Sequence, residues 1–148
     1  LNFSNLQSVD VSMNGGMEIS MPLDMLISSS SEQPIILTLT NFETSDMQAS
    51  GTIIVKPVST DIYDMELDLT THEGDVEGTA RIDSTTSPQT IISTPVGPVT
   101  VGEYRVLFND IVMDQEVCTD TATGGTIVIT GNSETKTITF DNCAYTVE

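Results

Sequence analysis

Positive charge is scarce in this chain. Lys56, Arg81, Arg105 and Lys136 stand against 22 acids, a formal net charge of −18 over 148 residues. A nucleic-acid partner is thereby excluded, since no basic patch exists to displace counterions from phosphates, and docking onto anionic lipid is disfavoured for the same reason. Tryptophan is absent and histidine occurs once, as His72. A single histidine, placed among turn-forming residues, removes the usual Ser-His-Asp and Cys-His nucleophile arrangements and leaves zinc and haem without ligands. No run approaches the ~20 apolar residues of a membrane helix, so helical insertion is not expected. Glycine loops for phosphate, Cys-x-x-Cys pairs and His-Glu-x-x-His are also missing. Paired carboxylates remain available for glycoside chemistry, but a sugar subsite wants aromatic platforms and the chain has few. The expectation is a protein that is not an enzyme.

What the chain has is β-branched residues, serine, threonine and turn formers, the composition of strands. Its length suits one domain, residues 1–148. Residues 118–143 hold the only two cysteines. Thr126 to Thr130 and Lys136 to Phe140 read as a hairpin about Gly131-Asn132-Ser133-Glu134, with Ile127, Ile129, Ile138 and Phe140 inward and Thr126, Thr130, Thr137 and Thr139 outward. Cys118 and Cys143 fall at the same end of this unit. Strands flanking a common neighbour lie about 10 Å apart, so a disulfide must pass beyond the end of the middle strand or join two facing sheets. The pair points to an oxidising compartment: extracellular or cell surface, with the periplasm as the alternative.

Upstream, the methionines at 13, 17, 21 and 25 fit a helix spacing, but the alternation through Ile19, Leu23 and Ile27 fits a strand broken at Pro22. A short helix from Leu23 to Ser29 is the competing reading. Pro34 to Phe42 and Gly51 to Val58 read as strands, the second ending at a sheet edge because of Pro57. Ile62 to Asp83 alternates strictly: Tyr63, Met65, Leu67, Leu69, then Val76, Gly78, Ala80 and Ile82 on one face, acids and threonines on the other. That pattern belongs to antiparallel strands with one wet face. Centring the turn on residues 73 and 74 sets Glu66 opposite Arg81 as a salt bridge, and Asp64 opposite Asp83. The latter apposition is unfavourable without a cation, which makes Asp61, Asp64, Asp68 and Asp83 the candidate calcium ligands, the one cofactor considered. Val99 to Phe108 reads as one strand with Tyr104 inward, and Ile111 to Val117 as the next. Ser50 to Val55 resembles Gly124 to Ile129 at an offset of half the chain.

The fold expected is all-β, an antiparallel β-sandwich of about ten strands, with a closed β-barrel as the alternative. The start at Leu1 reads as a processed mature domain. Residues 1–12, poorly punctuated, are a candidate extension or strand donated to a neighbour. Acidity, threonine and a disulfide without a catalytic set suggest a secreted, lipoprotein-like surface module. Its role would be structural or adhesive, as in a subunit of a surface filament with protein partners. The alternative is a carbohydrate- or small-ligand-binding module, calcium-dependent in one version, recognised by exposed Tyr63, Tyr104 or Tyr145.

Overall fold

A computed structural model of the chain describes residues 2–8, 11–20, 33–44 and 48–148. Its elements are all strands: β1 (Asn2–Ser8), β2 (Val11–Ser20), β3 (Ile35–Glu43), β4 (Gln48–Ser59), β5 (Ile62–Thr71), β6 (Gly74–Asp83), β7 (Gln89–Ser93), β8 (Val99–Val101), β9 (Tyr104–Asp114), β10 (Gly124–Gly131), β11 (Glu134–Asp141) and β12 (Ala144–Val147). Every pairing is antiparallel, and the order follows the chain from β1 to β12 in one continuous sheet. Between β6 and β9 one column is shared by two short strands. There β7 occupies one half, paired with Arg81–Asp83, and β8 the other, paired with Val76 and Glu77.

The expected class and pairing mode hold. The layers are not two separate sheets but parts of one, and the strand order ends at β1 and β12 without closing. Laid flat, β5 and β11 would stand ~24 Å apart, five spacings of ~4.8 Å. Met65 of β5 and Phe140 of β11 nevertheless line one cavity, so the sheet is curled.

Tight turns set the register. Asn132 and Ser133 (φ 49° and 67°) and Asn142 and Cys143 (φ 47° and 66°) are left-handed pairs between partners Gly131 and Glu134, and Asp141 and Ala144. This is the type I′ geometry that matches the twist of flanking strands. In the β5–β6 hairpin the turn is His72–Glu73, with Thr71 opposite Gly74. The Thr71 hydroxyl accepts from Glu73 N–H at 3.2 Å and donates to the Gly74 carbonyl at 2.8 Å, tightening the turn one residue earlier than the sequence suggests. Arg81 consequently faces Asp64, and the expected Glu66–Arg81 bridge and Asp64–Asp83 apposition do not form.

Other corrections have equally local causes. Pro57 lies in an interior strand, but β3 pairs with β4 only as far as Val55. The missing N–H therefore falls beyond the end of β3, a local edge within the sheet. Val99 to Phe108 is broken by a turn at Gly102 (φ 55°) and Glu103, so Val101 faces Tyr104 across a hairpin. The strand then runs on past Phe108 to Asp114 through a bulge at Asp110 (φ 46°). Met13 and Met17 belong to β2, which favours the strand reading; Met21, Pro22, the alternative helix from Leu23 to Ser29 and the serine run to Ser31 lie outside the described residues. Of residues 1–12, the candidate donated strand, Asn2–Ser8 pairs with β2 of its own chain.

Candidate functional site: an apolar cavity on the curled face

Alternation divides the sheet into two unlike surfaces. On the outer one, Lys56 pairs with Glu66, and Arg81 donates to both carboxylate oxygens of Asp64 at 2.7 and 2.9 Å. The bidentate contact raises the Arg81 pKa above its ordinary value, chiefly through the hydrogen bond to Asp64. Further along, Asn109 donates to Thr126 at 3.1 Å, and Thr130 and Thr135 share a hydrogen bond.

The inner surface is apolar and lines an open cavity of about 610 Å³. Met65 and Leu67 enter it from β5, Val76 and Ala80 from β6, Ile92 from β7, Val99 and Val101 from β8. Phe108, Ile111 and Met113 come from β9, Ile127 from β10 and Phe140 from β11. The remaining wall is Asp120, Thr121 and Ala122, from the loop joining β9 to β10. Ala80, Val99, Ile111 and Ala122 are buried, yet among the described residues no large side chain is fully so. The face surrounds space instead of packing it shut, unlike an ordinary close-packed interior.

Two backbone devices aim these side chains. Phe108 and Ile111 are three residues apart and would point to opposite sides of a regular strand. The Asp110 bulge inserts the extra residue opposite Gly125, restoring both to the cavity. Gly125 (φ 97°) is required there, because a Cβ would run into the Asp110 carbonyl and approach Ile111 Cα to 2.7 Å. The second device closes the loop end. Cys118 and Cys143 form a disulfide with Cα atoms 5.4 Å apart, passing beyond the start of β10, the first of the two paths expected. Asp114, only 6% exposed, begins the loop. Its backbone carbonyl accepts from Val117 and Cys118 N–H, and its carboxylate from Glu116 N–H at 3.0 Å.

The candidate calcium ligands are not brought together. Asp64 is engaged by Arg81, Asp61 sits in the β4–β5 turn, and Asp68 lies between Thr52 and Glu77 on the outer face. Asp83 caps Thr85, accepting from its hydroxyl at 2.6 Å and its N–H at 2.9 Å, and these bonds lower its pKa. Among the described residues no group of three or more His, Cys, Asp or Glu is placed to hold a metal. His72 is in the exposed β5–β6 turn, 3.8 Å from Glu73.

Of the tyrosines, Tyr104 is 45% and Tyr145 65% exposed. Tyr104 has the expected inward parity, opposite Val101, but it starts β9 at the hairpin end beyond the cavity, where its ring lies over Gly131 and its hydroxyl accepts from Asn132 at 3.3 Å. Tyr145 pairs with Phe140, itself opposite Gly125. Six residues of β10, ~20 Å, separate the two, so they make no common platform for a sugar.

Sequence reasoning missed the cavity because alternation marks a face as apolar without saying whether another layer fills it. Among the described residues no helix is long and apolar enough to cross a membrane, a statement that does not extend to strands. The disulfide is compatible with an extracellular or periplasmic location. Compared with known proteins, the chain matches no family model, no curated protein and no solved structure.

Proposed function

We propose that the protein is a non-enzymatic, extracellular binding module that holds one small apolar molecule against the inner face of its curled sheet. The observation that carries this reading is the cavity: about 610 Å³, within the range of ligand pockets, and apolar in every lining residue but Asp120 and Thr121. At ~30 Å³ per water-sized group it has room for about 20 non-hydrogen atoms. An apolar guest would remove that surface from water, at ~25 cal/mol for each Å². His72 stands away from the cavity, on an exposed turn, which supports binding over catalysis.

The test is titration of the intact, oxidised protein with a neutral fluorescent probe such as N-phenyl-1-naphthylamine, free of tryptophan background because the chain has none. Saturable, blue-shifted emission at one probe per chain is expected, and Met65→Gln should weaken it without loss of the strand signature in circular dichroism. A folded protein that gives no saturable emission would sink the reading.

A second reading, a structural or adhesive surface module assembling into filaments, is favoured by one edge. Thr137 and Glu148 exchange both backbone hydrogen bonds at 2.9 Å. By antiparallel alternation, Tyr145 and Val147 then turn their N–H and C=O groups away from β11, toward solvent, and both side chains are exposed. Such an edge can accept another strand. Light scattering of the same samples at high salt, where repulsion between −18 copies is screened, separates the two: polymers support the filament, a monomer removes it.

A further inference from the structure

Among the described residues, the polar ones that line the cavity sit together, and both belong to the disulfide-tethered loop. Asp120 and Thr121 lie two and three residues past Cys118, and Asp120 is exposed while the nearby Ala122 is buried. The loop therefore brings an exposed acidic residue, Asp120, to the edge of a wall that apart from it and Thr121 is hydrocarbon. Thr119 donates to Asp120 Oδ2 at 3.2 Å, and no cation pairs with Asp120 among the described ion pairs.

The basic residues are elsewhere. Lys56 and Arg81 are engaged on the outer face, and Arg105 shares it, since Tyr104 and Val106 take the opposite one. Lys136 has the inward parity of Ile138 and Phe140, but it stands opposite Ile129, ~13 Å along β11 from Phe140, and does not line the cavity. An anionic head at the rim would meet Asp120 and the field of a chain at −18, whereas a cationic head would meet a partner.

We propose that the cavity selects an aliphatic molecule with a positively charged head, the chain lying on the apolar wall and the head paired with Asp120. This rests on the ligand-binding reading above and adds the chemical class of the ligand. Asp120 is a specificity-determining residue here, and the bulk of the affinity comes from the chain.

The experiment displaces the neutral fluorescent probe with three ligands of equal chain length, each below its micelle concentration: dodecylammonium, dodecanol and dodecanoate. The expected order of affinity is ammonium, then alcohol, then carboxylate. In Asp120→Asn the ammonium should lose roughly fivefold, the size of an exposed ion pair, with the alcohol unchanged. If Asp120→Asn leaves the order intact and only added salt erases it, the preference belongs to the overall charge and the proposal fails. Equal displacement by all three in the wild type overturns the head-group assignment while leaving the binding function standing. Displacement by none of them, with the probe itself unbound, overturns both.

Discussion

The β5–β6 hairpin and the β9–β11 unit solve one problem, presenting apolar side chains to a common cavity, by different means. In β5–β6 every residue from Ile62 to Thr71 has a partner from Gly74 to Asp83 without interruption, and the wet face is tied by charge, Arg81 to Asp64. In β9–β11 the ladder is broken at Asp110, a glycine makes room for the break, and a disulfide closes the end. The regular region relies on pattern; the irregular one relies on a few positions with no substitute. Damage to single residues should therefore be felt far more in the second region than in the first.

The largest effect that would sharpen this contrast is loss of the disulfide. In the chain-entropy account, opening a loop of this length costs about 3.5 kcal/mol. Urea unfolding of the Cys118→Ser, Cys143→Ser variant should show a loss of that order. Amide exchange should rise in β10 to β12 and the 115–123 loop while β4 to β6 stay protected, and uniform loosening would erase the contrast. Next comes Gly125→Ala, which places a Cβ against backbone at a positive φ and should cost about 2–3 kcal/mol. Because the bulge sets the inward aim of Phe108 relative to Ile111, this variant should also lose probe binding under conditions where it remains folded. The smallest effect belongs to the regular region. Arg81→Met keeps the apolar stem, removes a solvent-screened bidentate pair and should move the urea midpoint least of the three, with the cavity still binding its probe.

The same contrast explains what could be read from the sequence. Alternation in Ile62–Asp83 identified the inner face correctly, with Met65, Leu67, Val76 and Ala80 all in the cavity wall. It could not set the register, since moving Arg81 from Glu66 to Asp64 is a shift of two residues and leaves every side chain on its own face. The deciding signal was the Thr71 hydroxyl, a bond that a periodic pattern does not encode. In β9 the pattern failed outright: Phe108 and Ile111 share a face only through Asp110, so the sequence suggested a strand end where the strand bends and continues. The disulfide was legible from connectivity, and of the two paths that strand spacing allowed it takes the one beyond the end of the middle strand. The likeness between Ser50–Val55 and Gly124–Ile129 has a backbone component, since Gly51 and Gly125 both take positive φ. They meet different neighbours, Gly51 the carbonyl of Asp68 on the following strand and Gly125 that of Asp110 on the preceding one.

The column shared by β7 and β8 has a mechanical meaning. β4 and β5 are stitched from Ala49 to Ser59, but β6 pairs with this column at Arg81–Asp83 and at Val76–Glu77, with one further bond from Gly102 N–H to the Asp75 carbonyl at 2.7 Å. Across Gly78 to Ala80 the ladder is interrupted, and Val99 sits where a Gly78 side chain would be. A ribbon bends where its stitching is sparse, so this interruption is a crease. It runs beside Ala80, Ile92 and Val99, in the wall of the cavity. A change of curvature there would alter the width of the cavity without breaking any of the long pairings on either side.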